Sequence, residues 1–272
     1  MILDHLKLTG CDETIQAFTT QRGEITESNS YSQWNLCDYT GDDALRVLDA
    51  RMQLCQQLGI DLDHLVMPRQ THSTNVKVID QNFLDASIEE QDSALEGVDA
   101  LVTTLPRVCI GVNTADCVPI VLADPVHDII AVAHAGWRGT VAGIAAKTVE
   151  AMATLGTEPS EIVAAMGVSI CHNCFEVGNE VVKEFEQARF KGAGCEQAGF
   201  DMPRIMKLNP DTGKAHINLQ EANRQTLIAA GVKSDNIALP HHCSRCESER
   251  YFSARRLGIN SGRTFTATMI QN

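Results

Sequence analysis

A chain of 272 residues with an excess of 13 acidic charges can bury a substantial core without disulfides. It is too negative for nucleic acid or an anionic membrane to be its main partner, although a local basic pocket for a small anion stays possible. The opening MILDHLKLTG has no apolar signal core, and no run approaches the roughly 20 apolar residues of a membrane span; the expectation is a cytoplasmic monomer whose ten cysteines stay reduced, mostly as small buried hydrophobes.

No repeat, low-complexity tract or linker interrupts residues 1–272, which read as a single domain. The first helix spans 43–58, where Leu45, Leu48, Met52, Cys55 and Leu58 recur at helical spacing between an Asp42 cap and a Gly59 stop. A strand is expected at 74–79. Residues 81–97 are polar and acidic and read as a surface excursion, with 188–205 as a second. Short β-branched strands follow at 98–103, 107–112, 118–123 and 128–134. The last three are consecutive, which predicts an antiparallel meander and an α+β fold. A helix over 141–155 carries Val141, Ile144, Thr148, Met152 and Leu155. Then come a strand at 162–168, a helix at 177–189, a helix at 219–230 opened by a capping box of Asn218 and Glu221, and a strand at 264–270.

The stretch NTADCVPIVLADPVHDIIAVAHAGWRGTVAG, residues 113–143, places a thiol and an imidazole on either side of a hairpin. Pairing Ala123 with Asp128 across the loop 124–127 sets Cys117 directly opposite His134, close enough for both to hold one zinc ion. A one-residue slip would separate them, and Pro119 hints at an irregular strand start. Directly after His134 the glycine-rich turn Ala135-Gly136-Trp137-Arg138-Gly139 leads into a helix, so free N–H groups and the Arg138 guanidinium can receive an anion; a plain tight turn with a solvated arginine is the alternative. A catalytic zinc wants a third protein ligand, and His72, in a polar turn before a strand, is a candidate.

Two Cys-x-x-Cys pairs, Cys171/Cys174 and Cys243/Cys246, have the content of a four-cysteine zinc site. Their separation far exceeds a zinc ribbon's, so core or loop thiols are the preferred reading. Arg250, Arg255, Arg256 and Arg263 flank the aromatic pair Tyr251–Phe252 and suit a phosphate or base-bearing ligand, or simply surface ion pairs.

The motifs QTHSTNV, VDALVTTLPRVCIGVNTADCVPIVLADP, AVAHAGWRGTVAGI, CFEVGNEV and YFSARRLGINSGR, in this order, resemble the YfiH-like family, whose members have been called polyphenol oxidases or laccases and are now taken as purine nucleoside phosphorylases with adenosine deaminase activity. The resemblance implies a CNF/YfiH-like fold, an α-β-β-α sandwich with mixed β-sheets. It implies a zinc site, copper being the alternative metal, held by His72, Cys117 and His134, the same residues serving as the catalytic set. Purine nucleosides (adenosine, inosine, guanosine, methylthioadenosine) and phosphate are the implied small-molecule partners, with Arg51, Arg138 and Arg256 as candidate substrate ligands. The family's Asn-Arg helix motif falls on Ala50-Arg51, so only the arginine carries over. Its Phe-Ser/Thr-Thr-Arg-x-Gly segment falls on FTTQRG, with Gln21 at the arginine position and Arg22 after it. The implied enzyme is a glycosyltransferase and hydrolase. Two rivals remain: a thiol hydrolase or peptidoglycan-precursor editing factor using Cys117 and His134, and a copper laccase, for which nine histidines without a His-x-His pair are a poor supply.

Overall fold

The computed structural model describes residues 1–11, 13–25, 30–192 and 195–271, with the side chains of 191–192 and 195–197 excepted. Two mixed sheets form its centre. One has five strands in the order Leu3–His5, Ile15–Thr20, Thr264–Ile270, Cys109–Thr114, Leu65–Val66. The other has six, in the order Ile237–Ala238, Val163–Met166, Val118–Asp124, Ile129–Ala135, Ala100–Thr103, Val76–Ile79.

Side-chain alternation divides each strand between two cores. From Val118–Asp124, Ile120 and Leu122 point outward to the helices Ile144–Thr154, Asn179–Gln187 and Leu219–Ala229. Val121 and Ala123 point inward, where they meet Ile110 and Val112 of the five-stranded sheet. The outer face of that sheet, with Phe18, Phe265 and Met269, packs on Leu54, Cys55 and Leu58 of the helix Ala44–Leu58. Layering is therefore helix, sheet, sheet, helix. Burial on both faces explains why the central strands read as unbroken apolar runs.

Three expectations need correction. The three consecutive strands do not form one meander: Cys109–Thr114 lies in the five-stranded sheet, and the chain crosses to the other sheet before Val118. The segment 81–97 is largely helical, Gln81–Leu84 and Ile88–Leu95, the second opened by a Ser87–Glu90 capping box, and it buries Phe83 and Leu95. Residues 188–205 hold two short strands and a helical turn, while 193–194 of that stretch lie outside the described residues.

Two helices also differ in detail. The first is capped by Asp43, whose side chain accepts from the Leu45 and Arg46 N–H groups, and it ends at Gly59 with φ 67°. It buries Val47, Ala50 and Leu54, whereas Leu45, Leu48 and Met52 face solvent; both stripes are apolar, and spacing alone does not say which one meets the sheet. The helix expected over 141–155 breaks into Trp137–Val141 and Ile144–Thr154, because Gly143 takes φ 77° between them. Asn218 caps its helix through the Glu221 N–H at 3.1 Å, while the Glu221 carboxylate turns to Gln225 and Arg224.

Candidate active site

The ends of the strands bring three donors together at the edge of the space between the sheets. The hairpin register differs by two from the expected one: Ala123 pairs with Ile130, and His134 faces Pro119. The turn sets this register. Asp124 Oδ1 accepts the N–H groups of Val126 and His127 at 2.9 and 3.2 Å, an Asx turn, and Asp128 takes a left-handed φ of 52°. A shift of two preserves the pleat, so Cys117 still lies on the side of His134. The donor atoms of His72, Cys117 and His134 all lie within 4.8 Å of one another. The His72 and His134 ring centroids are 4.8 Å apart, and Cys117 Sγ is 3.9 Å from His72 Nε2.

Asp99 organises this triplet. It is fully buried at the start of its strand, and its carboxylate accepts the successive backbone N–H groups of Thr71, His72 and Ser73 at 3.1, 3.1 and 2.7 Å. The same carboxylate receives Nδ1–H of His134 at 2.7 Å, which leaves Nε2 of that ring as the outward donor. Around the carboxylate the chain folds so tightly that His72 takes φ 62°, a left-handed value that non-glycine residues avoid. Burial opposes the Asp99 charge, but His134 and these N–H groups outweigh it and hold the carboxyl below its ordinary range.

Cys117 sits in the three-residue crossing between the sheets, after Asp116 at φ 91°. The strain is held from the C-terminal segment: Asp116 accepts Ser244 Oγ–H at 2.7 Å, Ser253 Oγ–H at 2.6 Å and the Arg255 N–H at 2.7 Å. Burial would raise the Cys117 thiol, yet the His134 imidazole, helped by His72, brings it down to about 6. Burial would lower His134, but the Cys117 thiolate and Asp99 lift it to about 9. Each group thus favours the charged form of the other, thiolate beside imidazolium.

This set suits a metal. One thiolate and two imidazoles leave a fourth position open, as in catalytic zinc sites. Gly136 shapes the cradle: a Cβ there would stand 2.7 Å from His72 Cδ2 and 3.0 Å from Cys117 Sγ. Gly136→Ala is therefore expected to weaken metal retention at least about tenfold, as loss of an outer support does, with little change in circular dichroism; a chelator competition titration reads it. Refilling the emptied centre at neutral pH should release about one proton per ion, because the imidazolium must lose its proton to ligate while the thiol has already lost its own. Calorimetry in buffers of different ionisation enthalpy measures this, and release near two would mean a neutral thiol.

The arginines are dispersed. Arg51 donates from Nε to the Leu36 carbonyl at 2.9 Å, pairs with Asp38 at 2.9 Å, and lines a cleft of about 1040 Å³ with Tyr39, Met67, Arg69 and Asn113. Met67 and Arg69 precede His72, and Asn113 precedes Cys117, so the cleft borders the segments that carry the site. The side-chain oxygen of buried Asn113 has no hydrogen-bond partner there. Arg138 is exposed and stacks on Trp137, 4.2 Å from the ring centroid. Arg256 is exposed on a different cleft, beside Arg245 and Arg250. Gln21 donates to both Asp4 oxygens, and Arg22 is buried against Ser32 and the Phe252 ring. Both side chains of the FTTQRG departure are thus engaged in packing the C-terminal segment and the sheet edge.

Sequence reasoning missed Asp99 and Asp116, and it placed Gly136 in an anion-binding turn rather than against the donors of His72 and Cys117. Asp99 left a trace as the lone carboxylate at the head of an apolar strand. Asp116 left none, since its partners lie more than 120 residues away.

A family model described as multi-copper polyphenol oxidoreductase laccase matches residues 15–271. The chain belongs to this YfiH/laccase-like family. It is 58% identical over 264 residues to adenosine deaminase RL5 from an unknown prokaryotic organism, covering 97% of each. It is 42% identical over 253 residues to a purine nucleoside phosphorylase of Bacteroides thetaiotaomicron, covering 93% of this chain and 90% of that one. A crystal structure of the Bacillus licheniformis hypothetical protein YfiH superposes with a TM-score of 0.83 at 27% identity, covering 94% and 93%. The α-β-β-α layering expected from the motif series is thus the fold of the family, and membership supports a nucleoside-processing enzyme. Among the described residues no helix is long and apolar enough to cross a membrane.

Proposed function

We propose that the protein is a zinc-dependent purine nucleoside phosphorylase acting on adenosine, inosine, guanosine and methylthioadenosine, with adenosine deaminase activity at the same centre. The observation that carries this reading is the convergence of His72, Cys117 and His134 on one point, with His134 oriented by Asp99; a cleft roomy enough for a nucleoside is lined by the residues that lead into His72 and Cys117 in sequence. The names of the relatives agree with it. Phosphorolysis replaces the C1′–N9 bond by a C1′–O bond, so the chain must hold a phosphate anion and offset the charge of the departing purine. Arg51, the one of the three candidate arginines that lines this cleft, is the proposed phosphate ligand and would exchange Asp38 for the anion. A divalent ion at the centre would supply Lewis acidity, either to orient substrate or to acidify water for attack at C6 of adenine. Asp99 keeps the His134 donor aimed, and the positive-φ turn at His72 fixes the opposite wall.

Zinc is favoured over copper by the donor supply. Laccase chemistry needs many imidazoles, and the one other cluster of three or more donors among the described residues is four thiols without a histidine. A cytoplasmic monomer belongs to this phosphorylase reading. Its test is phosphate-dependent release of base across a nucleoside panel, with and without a strong chelator. Release that needs phosphate and is lost with the chelator supports it, and no release from any purine nucleoside overturns it.

One observation favours a second reading. Cys117, His134 and Asp99 also have the order of nucleophile, base and orienting carboxylate, with the thiol lowered to about 6. A metal-free enzyme inactivated by iodoacetamide would select a thiol hydrolase, including the peptidoglycan-precursor editing activity.

A further inference from the structure

The two Cys-x-x-Cys pairs, 69 residues apart in sequence, meet in space. The sulfur atoms of Cys171, Cys174, Cys243 and Cys246 all lie within 4.8 Å of one another, and Cys174 Sγ is 3.4 Å from Cys246 Sγ. We propose that these four thiolates hold a second, structural zinc ion that clamps the loop after the strand Val163–Met166 to the turn at 243–249. The inference does not depend on which reaction the Cys117 centre performs.

Four features point to a closed metal site rather than to packed thiols. A tetrahedron with Zn–S of about 2.3 Å has S···S edges of roughly 3.8 Å, a value bracketed by the observed 3.4 Å and the 4.8 Å within which all four sulfur atoms lie. Only Cys243 is buried; Cys171 and Cys174 are half-buried and Cys246 is exposed, so hydrophobic burial does not account for their gathering. Backbone N–H groups point at sulfur: those of Cys171 and Cys246 reach Cys243 Sγ at 3.3 and 3.5 Å, which suits a thiolate acceptor. Arg245 donates to Cys174 Sγ at 3.4 Å, a cation placed against the double negative charge of a tetrathiolate zinc. The arms come from distant parts of the chain and are joined besides by a Ser169–Cys243 bridge and the Ser244 N–H to the Ser169 carbonyl at 3.1 Å. Binding replaces four S–H bonds by four Zn–S bonds and releases four protons to water, with no change of oxidation state.

Position gives the clamp a purpose. Ser244, between the two cysteines of the second pair, holds Asp116, the strained neighbour of Cys117. Fixing the turn fixes that contact, where the preceding segment reaches a sheet through the two-residue strand Ile237–Ala238.

Metal counting by elemental analysis and native mass spectrometry tests this on full-length protein made with ample zinc. Cys117→Ala is expected to carry one zinc ion per chain, and Cys174→Ser/Cys246→Ser one fewer than wild type. The ion left in Cys117→Ala should exchange for cobalt with the absorption of a four-thiolate tetrahedral centre. If the double serine variant does not fold, the Cys117→Ala count decides alone. A Cys117→Ala protein without metal, with iron in place of zinc, or with a Cys174–Cys246 disulfide in the peptide map of the native protein, overturns the proposal.

Discussion

Cys117→Ala is expected to lose the ion of the His72–Cys117–His134 centre and to release base from inosine and phosphate at least about 10²-fold more slowly than wild type. Loss of an outer-shell partner already costs about 10–100-fold, and removing a ligand costs no less. The thiolate is the one anionic donor of the set, and it sits at the half-buried crossing between the sheets, where alanine fits and His134 keeps its hydrogen bond to Asp99. Circular dichroism should therefore match wild type. The variant alone does not separate a metal centre from a thiol nucleophile, since both need sulfur. His72→Ala does. His72 is a donor of the metal set, whereas in a thiol enzyme it would only assist His134, the larger influence on the Cys117 thiol, from 3.9 Å away. A metal enzyme loses base release in both variants, whereas a thiol enzyme keeps most of its rate in His72→Ala. Steady-state rates with inosine and adenosine, set beside zinc content, give the answer, and a fully active Cys117→Ala would remove the centre from the chemistry.

Much of this site was legible because side-chain alternation has period two. The hairpin register was misread by two residues, yet His134 and Cys117 stay on one side, since an even slip keeps every side chain on its face. An odd slip would have parted them. The meander was not legible. Cys109–Thr114 and Val118–Asp124 are both apolar on both faces, and nothing in such a run says that the crossing at 115–117 changes sheets. The same ambiguity hid the buried stripe of Ala44–Leu58, where Leu45 and Leu54 are equally apolar but 76% and 0% exposed. Cysteine spacing misled in the other direction: a gap too long for a zinc ribbon excludes a local motif, not a meeting in space.

The second large effect is expected at Asp99. Asp99→Asn changes one atom in a fully buried group that accepts four N–H donors. An amide has one accepting oxygen and one donating nitrogen. If the oxygen keeps His134, the NH₂ confronts the N–H groups of Thr71 and Ser73, and buried donors without acceptors cost about 1–3 kcal/mol each. If the amide turns round, it donates to His134 Nδ1; the imidazole then carries its proton on Nε2, the atom that faces the metal, and the ligand is lost to the wrong tautomer. Neither arrangement keeps both the turn at His72 and the donor at His134. Zinc affinity should fall about 10–100-fold, accompanied by a lower thermal midpoint. The two effects are separable. A loss that is only structural lowers the midpoint and leaves the zinc dissociation constant of the folded fraction unchanged. Loss of ligand orientation weakens that constant, and base release then returns in part as zinc is raised. A competition titration with a chromophoric chelator reads the constant, and wild-type affinity in Asp99→Asn would refute the role of Asp99 as the residue that aims the site.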